Sequence, residues 1–330
     1  MPNALCSPVF LVERTLRLVI PTRSGLETMR CLPLASVLIL GACSSSTEPH
    51  VGRWTSDAAM PTPRGQTVAG VIDGIVYVAG GYVALTGAVA TLEAYDPVAN
   101  TWTTKAPMPV ARYGTVAGVV NGILYVVGGE GGTSAPVDAY DPATNTWTTK
   151  LATMHTWHGD AAGAVLNDLL YVAGGFDYNN SRTLASVEAY DPAADMWITK
   201  APMPTPMAYG VAAVVNGVLY VTGGSVLQAY DPATDTWTMR APPTPTQGNN
   251  AVAGVLNDTL YVVGGYVGAT ATVLTTVEAY DPVRNTWTTK ARMPTPRYGA
   301  AGGVVNGILY VAGGLDSNGV ALRTVEGYQP

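Results

Sequence analysis

A loop of seven residues, Met154-His155-Thr156-Trp157-His158-Gly159-Asp160, gathers many of the groups in this chain that are able to do chemistry. Two of the three histidines sit there, and the third, His50, lies far upstream. His155, His158 and Asp160 are metal-ligating types, but a zinc site requires three or four ligands in defined geometry, and spacing within one loop does not supply that. No metal is assigned. A second loop, Phe176-Asp177-Tyr178-Asn179-Asn180, is aromatic and polar and carries one of only two phenylalanines. Glu130 and Asp316 stand in comparable loops and are candidates to join a polar pocket. Arg64, Arg112, His158 and Arg297 recur at one position relative to a following Tyr, thirteen residues on. If they line one opening they form a cationic arc, and the planar fork of Arg suits a carboxylate. The same arginines have a plainer use, packing or pairing locally. The opposite arc is neutral, with Met207, Gln247, Asn249 and Asn250.

Several chemistries are missing. The three cysteines are Cys6, Cys31 and Cys43, so the chain after Cys43 has no thiol nucleophile, thiolate metal site or disulfide. No phosphate-cradling loop or serine-triad pattern is present. No catalytic residue and no cofactor are assigned.

The elements that must position these residues emerge from an internal repeat, the first feature to look for in such a chain. Gly-Gly pairs stand at 80–81, 128–129, 174–175, 223–224, 264–265 and 313–314, each just after an apolar run containing Tyr77, Tyr125, Tyr171, Tyr220, Tyr261 or Tyr310. A second Tyr follows each pair, and five of these continue as Tyr-Asp-Pro and reach a Trp seven residues on: Trp102, Trp147, Trp197, Trp237 and Trp287. The sixth unit ends at Tyr328-Gln329-Pro330, and its missing Trp is Trp54, near the other end of the body. Each unit reads as four short strands, A to D, with an Asn-Gly or Asp-Gly type of hairpin signal between A and B and an Asp-Pro turn between C and D.

This pattern resembles the kelch repeat, marked by a Gly-Gly pair, a later Tyr and a Trp beyond it. The resemblance covers about Arg53 to Pro330. It implies an all-β fold, a six-bladed kelch β-propeller with one four-stranded blade per repeat. Trp54 on an N-terminal strand completes the last blade and closes the ring, leaving no loose edge.

Length varies almost entirely between the Gly-Gly pair and the C-strand Tyr, from 6 to 15 residues, whereas the distance from Trp to the next B-strand Tyr is 23 or 24. The B–C loops share a face with the D–A loops. Variable loops on a rigid scaffold mark that face as the working surface, as the resemblance to other propellers also implies. Six of the seven Trp occupy the repeated position, so Trp157 is the one aromatic out of register. Glu93, Glu188, Glu278 and Glu326, with Asp138 and Gln228, stand two before the C-strand Tyr and read as structural pairing partners.

Within the family the resemblance separates two classes of function. Copper oxidases of the galactose oxidase kind need a Cys–Tyr crosslink and His ligands, and with no Cys after Cys43 the crosslink is excluded. Bacterial six-bladed kelch proteins that act as sialic-acid mutarotases need a general acid/base and arginines for a carboxylated sugar. The favoured reading is a non-catalytic binding scaffold that recognises a protein or glycan ligand through the B–C and D–A loop face. A periplasmic mutarotase or epimerase and a purely structural envelope module are the alternatives. The candidate ligand-binding residues are Arg64, Arg112, His158, Arg297, Trp157, Asp160, Phe176, Asp177, Tyr178, Asn179 and Glu130.

The N-terminal 50 residues read differently. From Met29 a positive residue, an apolar run Leu32 to Leu40 and small residues before Cys43 follow the order of a secretory signal. Leu40-Gly41-Ala42-Cys43 resembles a bacterial lipobox, which implies lipidation of Cys43. Residues 1–28 are then a mis-assigned or processed leader, 29–42 a lipoprotein-type signal peptide, 43–50 a polar tether and 51–330 the propeller. The expected location is the bacterial cell envelope, periplasmic or at the surface, held to a membrane through the lipid. Charged residues are 12% of the 330, about half the usual ~25%, and the high apolar share argues against disorder. Net charge is −6, and four of the 17 basic but two of the 23 acidic residues precede Cys43, leaving the remainder near −8. That balance excludes a phosphate-neutralising surface, so no nucleic-acid partner is expected, and the closed ring is expected to be monomeric.

Overall fold

The computed structural model describes residues 52–131, 137–243 and 248–330. The leader, signal, Cys43 and tether assignments, and Gln247, lie outside them. Six four-stranded antiparallel sheets carry the chain. The strands A to D of blade 1 are Val68–Ile72, Ile75–Ala79, Leu92–Asp96 and Thr101–Thr104. Blade 3 runs Ala162–Leu166, Leu169–Ala173, Val187–Asp191 and Met196–Lys200. Its longer B–C loop adds a two-residue ribbon, Phe176–Asp177 against Arg182–Thr183.

The A–B turns take both central residues to positive φ, as at Asn121 (50°) and Gly122 (76°). This is the primed geometry that matches strand twist, and Asn, Asp and Gly tolerate it best. At the C–D turns the left-handed residue is Asn or Asp, and its side chain has a second use. The Tyr95 hydroxyl donates to Asn100 Oδ1 at 2.8 Å, and the amide of Ala58, which follows the D strand of the neighbouring blade, donates to the same oxygen at 2.7 Å. Indole Nε1 of Trp102 donates to the Ala58 carbonyl at 2.8 Å. The repeated Tyr and Trp are thus bolts between blades, as packing residues of the repeat should be.

The core lies between adjacent sheets, each apolar cluster drawing side chains from two consecutive blades; the cluster around Tyr125 and Val127 includes Leu170, Val172 and Tyr190 of the next. Gly118 lets inner strands approach, since a Cβ there would lie 2.6 Å from Leu170 Cδ1. The ring closes as expected. Arg53–Asp57 pairs antiparallel with Val325–Gln329, Trp54 opposite Tyr328, repeating the Trp102–Tyr95 register of blade 1.

B–C and D–A loops do meet on one face. Backbone bridges join Gly65 to Tyr82, Tyr113 to Glu130, Gly159 to Phe176, Asn249 to Tyr266 and Tyr298 to Leu315. Each of these pairs lies within one blade. The Gly-Gly pairs make the link to the next blade: Gly81 N–H donates to the Arg112 carbonyl at 2.8 Å, and a Cβ on Gly80 would come within 2.5 Å of that oxygen.

Candidate functional site

Two residues after each arginine-equivalent position the backbone turns left-handed. Gln66, Gly114, Asp160, Tyr209, Asn250 and Gly299 all have φ between 50° and 60°. These residues join the six blades in a ring of hydrogen bonds at the channel mouth. Gly114 N–H donates to Gln66 O, Asp160 to Gly114, Tyr209 to Asp160, Asn250 to Tyr209 and Gly299 to Asn250, at 2.7–3.2 Å, and Thr67 N–H reaches Gly299 O at 3.4 Å. Glycine suits this conformation, whereas a side chain there is strained by about 1–3 kcal/mol. Asp160 and Tyr209 occupy it side by side. Below the ring the channel is a narrow cavity of about 170 Å³ walled by small residues such as Ala69, Ala117 and Gly163.

The cationic arc does not form at this mouth. Arg64, Arg112 and Arg297 are all but completely buried, each facing a carboxylate of its own blade. Arg64 Nη1 pairs with Glu93 at 2.5 Å, Arg297 Nη2 with Glu326 at 2.7 Å, and Arg112 with Asp138. Burial lowers each guanidinium pKa from its ordinary value, and the facing carboxylate opposes the shift. Further donors go to backbone carbonyls, Arg64 Nη2 to Val78 O at 3.0 Å and Arg297 Nη1 to Thr324 O at 2.8 Å, and Arg64 Nε is enclosed without a partner among the described residues. A guanidinium so enclosed staples the D–A loop to strands B and C and has no fork left for a ligand. The paired acids two before the C-strand Tyr explain why: the two columns of the repeat are one structural device.

His158 takes the arginine position in blade 3 and is equally buried. Its Nδ1 meets the Gly174 carbonyl and its Nε2 lies 3.3 Å from Glu188 Oε1. His155 Nδ1 and backbone N–H both lie 2.9 Å from Glu188 Oε2. Burial alone would raise the Glu188 carboxyl, but these hydrogen bonds outweigh it and bring it down to about 2. Among the described residues no group of three or more His, Cys, Asp or Glu is placed to hold a metal ion.

What blade 3 does bring together is a different set. Trp157, Tyr178 and Asn179, with Glu130 and Gly131 from the blade 2 loop, line a cavity of about 200 Å³ beside the channel mouth. The Tyr178 hydroxyl donates to Asp160 Oδ2 at 2.7 Å and lies 3.1 Å from the Tyr209 hydroxyl. Tyr113 donates to Glu130 Oε2 at 2.9 Å. Asp160 is 6% exposed. Burial raises its carboxyl to about 6; the Tyr178 hydrogen bond partly offsets this, and the nearby Glu130 charge adds to it. Burial and Glu130 push the Tyr113 hydroxyl up to about 12.

Two other candidates turn inward. Asp177 is 6% exposed, and its carboxylate caps its own turn, accepting from the amides of Asn179 and Asn180 at 3.1 Å and from Arg182 Nε at 3.3 Å. Phe176 packs edge-on to Tyr178, ring centroids 4.8 Å apart, and supports it. Glu130, Trp157, Asp160, Tyr178 and Asn179 therefore converge, with Phe176 and Asp177 behind them. Tyr113 and Tyr209 belong to the group and were not among the candidates. Tyr113 is hidden by the repeat, since Tyr298 follows Arg297 in the same way. The signal for Tyr209 was its place two after Met207, where the other copies carry Gly, Gln, Asp or Asn and none an aromatic.

The Kelch motif family model matches residues 63–109, 111–150, 159–204, 248–294 and 296–330, and the chain belongs to that family. The stretch between the third and fourth matched segments holds blade 4, with Met207 and Gln228 in place of the ion pair and the shortest B–C loop. None of the curated proteins matches the sequence. A solved structure described as "Structure of YjhT" is similar in fold, with a TM-score of 0.72 and 17% identity over 81% of this chain and 95% of that one.

Proposed function

We propose that this kelch propeller is a non-catalytic binding module of the bacterial cell envelope, holding a glycan residue or one projecting side chain of a protein partner on the B–C and D–A loop face. The observation that carries this reading is the cavity between Glu130, Trp157, Tyr178 and Asn179. It sets aromatic walls beside polar groups at the mouth of a rigid ring, the usual composition of a small-ligand site. Its volume is below the ~300–1,000 Å³ of drug-sized pockets, which suits a single ring. The lipobox-like Leu40-Gly41-Ala42-Cys43 supports export and a lipid anchor on Cys43, with residues 43–50 as the tether. An acidic chain supports a partner other than nucleic acid.

A second reading, sugar mutarotation or epimerisation, is favoured by the Asp160 carboxyl at about 6, close to where a general acid/base works best at neutral pH. The buried, paired arginines speak against its carboxylated-sugar form.

Thermal shift against neutral, amino- and uronic sugars tests the binding reading. A ligand at 100 times its Kd adds ~2.7 kcal/mol of apparent stability. The gain should vanish in Trp157→Ala while the unliganded midpoint stays close to the parent. Anomer exchange followed by NMR on any sugar that binds separates the readings: acceleration abolished in Asp160→Asn would make the protein an enzyme, and an unchanged exchange rate leaves it a binder.

A further inference from the structure

We propose that the cavity beside the channel mouth selects a ligand bearing an ammonium group, an amino sugar foremost. This rests on the binding reading above and names the ligand's charge. Two carboxylates without a cation stand close together here: Glu130 lines the cavity, and Asp160, which lines the channel, accepts a hydrogen bond from the cavity-wall Tyr178. Their side chains hydrogen-bond only to tyrosine hydroxyls among the described residues, Tyr113 to Glu130 at 2.9 Å and Tyr178 to Asp160 at 2.7 Å, and neither forms an ion pair there. The adjoining residues 132–136 contain no Lys, Arg or His.

Most other buried carboxylates face an Arg or a His: Arg for Glu93, Asp138 and Glu326, and two His for Glu188, whereas Glu278 accepts from the Thr289 hydroxyl at 3.2 Å. Burying a carboxylate without a cationic partner is costly. Asp160 is nevertheless only 6% exposed, with the Tyr178 hydroxyl in place of a cation. Its second oxygen, Oδ1, overlies Gly114, where a Cβ would come within 2.6 Å of it. Burial raises the Asp160 carboxyl, and the nearby Glu130 charge adds to the rise.

The walls fit the counter-ion. Trp157 and Tyr178 line the cavity, and indole and phenol faces attract cations, most strongly when water is excluded. Asn179 supplies an amide for a ring hydroxyl. A carboxylated ligand would instead meet two like charges at close range.

Calorimetry on the intact protein with D-glucosamine, N-acetyl-D-glucosamine, D-glucose and D-glucuronate decides the matter. N-acetylation keeps the ring and removes the charge, so glucosamine should bind at least tenfold tighter than its acetylated form, and glucuronate weakest. Glu130→Gln and Asp160→Asn should each weaken glucosamine at least fivefold and narrow its lead over the acetylated sugar, while the unliganded midpoints report folding; Asn tolerates the left-handed backbone at 160. Equal or tighter binding of the neutral or acidic sugars overturns the charge selection and leaves the glycan site standing. Silence from all four sugars overturns the inference and the glycan reading together.

Discussion

Arg64 shows how a repeat converts a functional-looking residue into a structural one. Its guanidinium and Glu93 are both almost fully buried, and removing one partner strands the other charge. Arg64→Met should therefore cost about 3–5 kcal/mol of unfolding free energy in urea titrations. Blade 4 carries the uncharged version of the same staple: Gln228 accepts from the Thr205 amide at 2.8 Å and donates to its carbonyl at 3.1 Å, and Met207, at the arginine position, packs into the apolar cluster of blades 3 and 4. The double variant Arg64→Met, Glu93→Gln copies that pair and should recover most of the loss. Recovery of nothing would show that the ion pair cannot be exchanged between blades.

Asp160 carries the opposite electrostatic sign. Its carboxyl is raised to about 6 in the folded protein against about 3.9 in an unfolded chain. Between those values the native state binds more protons than the unfolded one, so this group's contribution falls as pH rises from about 4 to about 6 and is fully lost above. Asp160→Asn should be more stable than the parent at pH 7.5, by about 2–3 kcal/mol before relaxation, with the difference shrinking towards pH 4. Glu188 works in reverse, since its carboxyl is held down to about 2: it stabilises above pH 4.5 and loses that contribution as pH falls towards 2. Stability curves of Asp160→Asn and Glu188→Gln, each subtracted from the parent, should slope in opposite directions.

At the scale of elements, the B–C loop of blade 3 is tied to the rest by few bonds. Phe176 exchanges backbone hydrogen bonds with Gly159 at 2.7 and 3.2 Å, and the Asp177 turn closes on itself. Leu184, beyond the ribbon, is the buried anchor. Exchanging Phe176–Asn180 for the short blade 4 connection should leave the thermal midpoint within a few degrees of the parent and abolish ligand binding, because Tyr178 and Asn179 leave with the loop. A collapse of the midpoint would make the loop structural.

For the whole molecule the decisive element is the first strand. Arg53–Asp57 contributes five backbone partners to blade 6, and Trp54 Nε1 donates to the Ala291 carbonyl at 3.0 Å. Trp54→Ala should cost about 3 kcal/mol or more, as large aromatic truncations do. Deleting residues 53–57 exposes the Val325–Gln329 edge and should broaden the unfolding transition and promote association, measurable by light scattering during the melt.

Architecture was legible in residue order because each blade repeats one local grammar. Asn-Gly between strands A and B, Asp-Pro after the C-strand Tyr, and Trp seven residues later specify turn and register locally, and six copies multiply the signal. Even Trp54, far from its blade in sequence, was placed by counting. The loop of blade 3 was visible for the same reason, as the copy that breaks the pattern at Trp157 and Asp160. What residue order could not supply was direction and neighbourhood. A column of arginines reads the same whether it faces a channel or a buried acid; the twist of each blade turned Arg64, Arg112 and Arg297 onto Glu93, Asp138 and Glu326. Glu130, Tyr113, Asp160, Tyr178 and Tyr209 come from three blades and lie far apart along the chain. They meet only because the ring sets consecutive D–A loops edge to edge, and the charge of their site follows from the cations that this packing spent elsewhere.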